Sequence, residues 1–360
     1  MSSTSGPLTR TSDANFPLFE FVGASVVWPR LLYHNVMAYH RGRQISAIDL
    51  GTGTGSVAMT LRDWFNIVVG VDPSPVMLET ARGTAAPLDY SKVSFFRGKA
   101  EDLPKVDSGP PYDLAASAQA AQFFDLPKFW SEMDRVVRPG GTLALWGHTD
   151  VVLQDYPKAT KIIHAFLHGK GEFLLGDWWA QPARRILNNY YEEIVPPEED
   201  WEDVQRFTYK PATETSPAEG ARLQDDMKWS IWSLKVHLDS LEARHRWEME
   251  HPGNNMDFTK GVLAEMQESE PDFKAAGDKF FEMKVKLEWG TVVLLARKRL
   301  KQLDPSGRTA DSGTAGDETK GDGTGGVGTS GNGTSSDGTI SDGGVDIDQA
   351  LEQSVALKLA

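Results

Sequence analysis

The segment Asp49-Leu50-Gly51-Thr52-Gly53-Thr54-Gly55 constrains this chain more than any other. It follows a short apolar run, Ser46 to Leu50, and precedes Ser56 to Trp64, which reads as a helix. Glycines in a strand-to-helix turn let the backbone take positive φ and approach a ligand closely. In open α/β sheets such a turn sits at the topological switch point, where ligands bind.

The strand–helix rhythm continues beyond the loop. Asn66 to Val71 is dense in Val and Ile, and Pro75 to Arg82 reads as a helix capped by Ser74 with Pro at its first position. Val93 to Arg97 and Tyr112 to Ser117 read as further strands. Pro127 to Val137 reads as a helix closed by Arg138-Pro139-Gly140-Gly141, and Thr142 to Gly147 as a fifth strand. This alternation predicts an α/β fold with a doubly wound, Rossmann-like parallel sheet.

The second half lacks that rhythm. Asp155 to Leu167, Trp178 to Tyr191 and Asp225 to Glu250 read as helices, and Val285 to Arg297 as two closing strands. The expected organisation is a disordered N-terminus over 1–15 and one domain over 16–300. Within that domain, 46–149 form the cofactor-binding core, 150–280 a mainly helical cap, and 281–300 the closing strands. Residues 301–360 read as a flexible low-complexity tail, because from Gly307 to Gly344 the chain is mostly Gly, Thr, Ser and Asp, which cannot offset their ordering entropy. Val345 to Leu359 regains an apolar periodicity and reads as an undocked segment.

Two carboxylates set the ligand. Asp72 ends the second strand, where it can accept hydrogen bonds from ribose hydroxyls. Dinucleotide sites want G-x-G-x-x-G, with the pyrophosphate on a helix N-terminus. Here the third glycine comes one place early, at Gly55, and Asp49 would repel a pyrophosphate. S-adenosylmethionine carries no phosphate, and its ammonium group favours a nearby acid. The loop therefore reads as a site for the methyl donor rather than for NAD. Glu101, after Ala100 at the end of the third strand, suits the adenine amino group, and Met77 the adenine face. The expected cofactor contacts are Asp49, Gly51, Gly53, Gly55, Asp72, Met77, Ala100, Glu101, Ser117 and Gln119.

Composition removes several alternatives. The net charge is -14, and no basic stripe with interleaved aromatics occurs, which argues against a nucleic-acid partner. There is no cysteine, so thiol catalysis and zinc–thiolate sites are excluded, and no other metal-ligand spacing stands out. No run of about 18 apolar residues occurs, and no secretory signal is visible, so no membrane association and a cytoplasmic location are expected. The oligomeric state, monomer or homodimer, is open.

Asp49 to Gly55, Val71-Asp72-Pro73-Ser74, Ala100-Glu101-Asp102-Leu103-Pro104 and Arg138-Pro139-Gly140-Gly141 together resemble a class I S-adenosylmethionine-dependent methyltransferase. Four further segments are similar to the fungal trans-aconitate methyltransferase family. They are Ser117 to Asp125, Leu175 to Pro182, Trp229-Ser230-Ile231-Trp232 and Glu288-Trp289-Gly290-Thr291-Val292. That resemblance implies methyl transfer to a small acid. The chain departs from it at Gln122, where the family has histidine, and at Phe123, where it has tryptophan. Ser25 and Met227 likewise stand where the family has arginine. A polyanion needs charge-assisted partners, so a less charged, more apolar acceptor is expected here.

Methyl transfer from a sulfonium needs alignment and desolvation more than protein chemistry. A carboxylate acceptor needs no base, whereas a hydroxyl does. Gln122 follows the fourth strand and is the expected catalytic residue, orienting the nucleophile without taking its proton. Trp28, Trp178, Trp179, Arg184 and Trp229 are the expected substrate contacts. Histidines 148, 164, 168, 237 and 245 are possible bases, but none falls in a motif that aims it at the methyl group, and surface or cap positions are expected. A cofactor-binding protein without catalysis is the alternative reading, and a NAD-dependent oxidoreductase the third.

Overall fold

The computed structural model describes residues 28–85, 92–103, 111–213, 216–222, 227–254 and 256–300. The expected disordered N-terminus and the tail, with Val345 to Leu359, lie outside the described residues. Helix α1 (Arg30–Tyr39) leads into β1 (Ser46–Leu50), α2 (Ser56–Leu61), β2 (Ile67–Asp72), α3 (Pro75–Ala85), β3 (Val93–Arg97), β4 (Tyr112–Ala118), α4 (Leu126–Val136) and β5 (Val137–Leu153). Strands β3, β2, β1, β4 and β5 lie side by side in that order, all parallel.

The sheet is covered on both faces, which is why its strands read as continuous apolar runs. Successive side chains point to opposite faces. Ala47, Leu114, Ala116 and Ala144 join one cluster with α1 and α2, while Ile48, Leu50, Ala115 and Leu143 join another with α4. The fully buried Asp113 carboxylate fastens the start of β1 by accepting from Ile45 N and Ser46 N, both at 2.9 Å, and pairs with Arg138.

The chain continues through α5 (Pro157–His168), α6 (Ala183–Asn188), β6 (Trp201–Lys210), β7 (Glu219–Gly220), β8 (Met227–Ser230), α7 (Ile231–Asp239), α8 (Glu242–Glu250), α9 (Phe258–Ser269), α10 (Pro271–Ala276) and β9 (Lys284–Lys298). Strand β9 inserts antiparallel between β5 and β6. Helices α5, α7, α9 and α10 pack with the outer parts of β5 and β9 into a third apolar cluster.

Several expectations are corrected. Strand β5 does not end at Gly147. It passes through a bulge between His148 and Val151 and pairs with β9 as far as Leu153. The two closing strands are one, because Gly290, with no Cβ, lets the Thr149 and Tyr190 hydroxyls approach closely without breaking the strand. The helix expected from Trp178 is confined to Ala183–Asn188. Pro182 disfavours a helical predecessor, and Tyr190 and Tyr191 take positive φ beyond its end. The helix expected over Asp225 to Glu250 begins with β8, which pairs with the first residues of β9; Ser230 then caps α7 by accepting from Ser233 N at 3.0 Å. Segment 150–280 thus adds three strands to its helices. No described helix is long and apolar enough to cross a membrane.

Candidate active site

The glycine loop is fastened to the neighbouring strand. Gly51 N and Thr52 N both donate to Val71 O, at 2.8 and 2.9 Å. Gly51, Gly53 and Gly55 take φ of +67°, +54° and +87°, a region that side chains resist. A Cβ at Gly51 would lie 2.5 Å from the Ala120 Cβ, so the segment after β4 rests directly on the loop. A Cβ at Gly53 would meet nothing within 4 Å.

Both expected carboxylates lie under this loop. Asp72 accepts from Gly53 N at 2.9 Å and from Ser74 N at 2.8 Å, and its burial raises its pKa. Its remaining lone pairs suit ribose hydroxyls. Asp49 accepts from Thr52 Oγ1 at 2.5 Å and from Ala58 N at 3.1 Å. Burial pushes it up to about 7 against those hydrogen bonds, and Asp72 adds to the rise. Its second oxygen is buried and has no hydrogen-bond partner among the described residues. Two acids and an unfilled acceptor fit the ammonium and ribose of S-adenosylmethionine and do not fit a pyrophosphate.

The other expected cofactor residues lie around the same sheet edge with the following protein contacts. Ser117 is fully buried and donates to Leu50 O at 2.9 Å, tying β4 to the end of β1. Met77 lies half-buried in the first turn of α3, where its N–H donates to the Ser74 hydroxyl at 3.3 Å. Ala100 is buried beyond β3. Glu101 accepts from Asp125 N, at the cap of α4, at 2.8 Å. Gln119, with φ of 56°, spends its side chain on the backbone of His148.

A cavity of about 230 Å³ opens beside Gln119. Its walls come from the segment after β4, the β5 bulge, α5, α6 and the α7–α8 turn. Gln122 is buried here, accepting from the Tyr191 hydroxyl at 2.7 Å and donating to Gln119 O at 2.8 Å. Trp179 lines the cavity, donating to Leu167 O at 2.7 Å, and the Arg184 guanidinium stacks 3.9 Å above its ring. Arg184 also pairs with Asp150. Burial alone would raise Asp150, but the His168 hydrogen bond at 2.7 Å and the Arg184 charge outweigh it and hold the carboxyl at about 2.

The structure does not bring all the expected substrate contacts to this cavity. Trp178 stands with its edge against His251, at 5.4 Å between ring centres. Trp229 packs behind His237 and Trp289, at 5.6 and 5.2 Å, and Trp28 behind His148, at 5.4 Å.

Two histidines that no motif singled out do line the cavity. His148 sits at the start of the β5 bulge, and such bulges re-aim side chains. His237, from α7, lies 6.3 Å from it between ring centres. Burial lowers the pKa of both, His237 to about 3, so both rings are neutral at pH 7. By contrast, His164 is held by Val151 O and His168 by Asp150. The available signal was positional: His148 directly follows the run Thr142 to Gly147 read as the fifth strand, at the edge where ligands bind. Among the described residues, no cluster of three or more His, Cys, Asp or Glu groups could hold a metal.

Comparison with known proteins agrees with this geometry. The family described as Methyltransferase domain matches residues 48–145. The probable S-adenosylmethionine-dependent methyltransferase CRG1 of Saccharomyces cerevisiae is 24% identical over 299 residues, covering 81% of this chain and 99% of the relative. Methyltransferase pgmE of Aspergillus terreus is 26% identical over 198 residues, covering 50% of this chain and 58% of the relative. A solved structure from Anaeromyxobacter dehalogenans, assigned as a type II methyltransferase, shares the fold with a TM-score of 0.53 at 21% identity, covering 75% of this chain and 96% of that one. With the glycine loop, its two buried carboxylates and these matches in agreement, the chain is a class I S-adenosylmethionine-dependent methyltransferase.

Proposed function

We propose that the chain methylates an oxygen of a small-molecule metabolite held in the cavity beyond β4 and β5. The observation that carries this reading is the cavity's position and size. It lies one residue from the contact between Ala120 and the glycine loop, and its volume of about 230 Å³ suits a small metabolite rather than a polymer. The bound cofactor supplies an electrophilic methyl group. Asp72 holds the ribose, Glu101 and Met77 the adenine, and Asp49 balances the ammonium charge. Ser117 and Gln119 keep β4 in register with the loop and with β5. Gln122, with one N–H and one lone pair left over, orients the acceptor. Trp179 and Arg184 bound the substrate, with Trp28, Trp178 and Trp229 supporting the walls. We place this activity in the cytoplasm.

The trans-aconitate resemblance bears on the substrate. Met227, where that family has arginine, is a half-buried residue of β8, and Ser25 lies outside the described residues. A charge-assisted hydrogen bond contributes about 1.5–3 kcal/mol, so two missing cations cost roughly two to four powers of ten in specificity. The test compares rates on trans-aconitate with rates on a panel of apolar acids and alcohols. Slow or absent turnover of trans-aconitate is expected; efficient methylation would restore the tricarboxylate as the substrate.

A further inference from the structure

We propose that His148 is the general base of the transfer and that the acceptor is a neutral phenolic or enolic hydroxyl on a flat apolar molecule, not a carboxylate. This rests on the reading that the acceptor occupies the cavity beyond β4 and β5.

The tautomer of His148 follows from its contacts. Its Nδ1 lies 3.1 Å from Thr149 O, and a carbonyl only accepts, so Nδ1 carries the hydrogen. In a neutral ring Nε2 then holds the lone pair, and it has no hydrogen-bond partner among the described residues. The ring is boxed by Trp28, Trp289 and His237, at 5.4, 5.8 and 6.3 Å between centres. Its backbone is clamped from both sides by Gln119. A base that is positioned, dry and oriented by a second hydrogen bond is what proton abstraction needs.

Among the described residues, the charges around it are paired with one another and disfavour an anion. Asp150, on the same strand, is paired with Arg184 from α6 and with His168 from α5. Glu242 from α8 is paired with Arg246, and His237 from α7 is neutral. The one guanidinium lining the cavity, among the described residues, already has its carboxylate. A substrate carboxylate would find no unpaired cation of the protein, only the cofactor's sulfonium, and burying it there carries a desolvation cost. A carboxylate would also leave the base idle. A phenol, with a pKa near 10 for a tyrosine-like ring, is within reach of imidazole, whereas an aliphatic alcohol is far weaker as an acid.

The step balances. Nε2 of His148 takes the hydroxyl proton while the oxygen's electron pair forms the new C–O bond. The C–S bond breaks and sulfur keeps its pair. The products are a methyl ether, S-adenosylhomocysteine and an imidazolium that returns its proton to water.

The test uses three ring-matched probes: 4-methylphenol, 4-methylanisole and 4-methylbenzoate. Calorimetry on the full chain saturated with S-adenosylhomocysteine should show 4-methylphenol binding about tenfold more tightly than the other two, the equivalent of one hydrogen bond. H148F should erase that preference while leaving S-adenosylhomocysteine affinity within about twofold. Turnover of 4-methylphenol in H148Q should fall by about 10²–10⁴-fold, with loss of the acid limb of the pH profile. Tighter binding and faster methylation of 4-methylbenzoate, unaffected by H148Q, would overturn the base and the hydroxyl while leaving the cavity as the acceptor site. Binding of none of the probes would overturn the cavity reading itself. The wild-type binding order decides the question even if a variant fails to fold.

Discussion

Gln119 holds His148 by both of its backbone groups: the amide Nε2 donates to His148 O at 2.9 Å, and Oε1 accepts from His148 N at 2.8 Å. One side chain at the end of β4 therefore fixes the point where β5 leaves regular pairing and enters its bulge. The same residue precedes Ala120, which rests on Gly51. The glycine loop and the cavity are thus joined through two consecutive residues, so a shift at the cofactor side is felt at the acceptor side.

Removing that clamp should be costly. Q119A leaves a buried N–H and C=O of His148 without partners, at about 1–3 kcal/mol for each unsatisfied group. Urea denaturation should show a loss of about 2–4 kcal/mol, and acceptor turnover should fall more than affinity for S-adenosylhomocysteine. A stability loss below about 0.5 kcal/mol, the range of an ordinary surface change, would show that the clamp is dispensable.

Two glycines of the loop should respond differently to alanine. Both variants force a side chain into positive φ, at about 1–2 kcal/mol. In G51A the new methyl also collides with Ala120, adding about 1–3 kcal/mol of overpacking. In G53A the methyl meets no protein atom and intrudes only on the ligand's space. Thermal unfolding should rank G51A well below G53A, while calorimetry shows that both lose cofactor. Equal midpoints would contradict the contact between the loop and Ala120.

Asp72 should carry a measurable part of cofactor affinity. D72A removes a hydrogen-bonding carboxylate from the ribose position and should weaken S-adenosylhomocysteine binding by about 1.5–3 kcal/mol. It also frees Gly53 N and Ser74 N, so a smaller loss of unfolding free energy should accompany it. Unchanged affinity by calorimetry would remove Asp72 from the site.

Cofactor binding should be coupled to a proton on Asp49. Its pKa in the fold is raised to about 7 from an ordinary value of 3.8, so the folded chain holds a proton that the unfolded chain releases between those values. Stability of the unliganded protein should therefore fall as pH rises from about 4 to about 7 and level off above. A ligand ammonium favours the ionised form, so binding of S-adenosylmethionine should expel the proton and strengthen as pH rises toward 7. Calorimetry in buffers of different ionisation enthalpy should detect proton release at pH 6, and none in D49N. A pH-independent affinity for the wild type would separate Asp49 from the ammonium.

What the sequence by itself determined was the nucleotide half. Strands Ser46–Leu50 and Val93–Arg97 coincide with the runs read from their apolar residues, and the glycine loop and Asp72 lie where the spacing put them. These features are local: periodicity, a capped turn and a carboxylate at a strand end are written in consecutive residues. The acceptor side was decided only by tertiary structure. The continuation of β5 past Gly147 depends on pairing with β9, and its partners Val151 and Trp289 are far apart along the chain. Strand β6 escaped notice because β7 pairs with it only at Tyr209 and Lys210, so most of its outer edge is unpaired and its β-formers, among them Val204, Phe207 and Tyr209, stand between charged neighbours. His148 gained its position from Gln119, Trp28 and Trp289, which converge on it from separate segments. Arg184, an expected substrate contact by sequence, is matched by Asp150 only because α6 folds back over the bulge. Charge pairing across a cavity is a property of distance in space, and no period or motif along the chain records it.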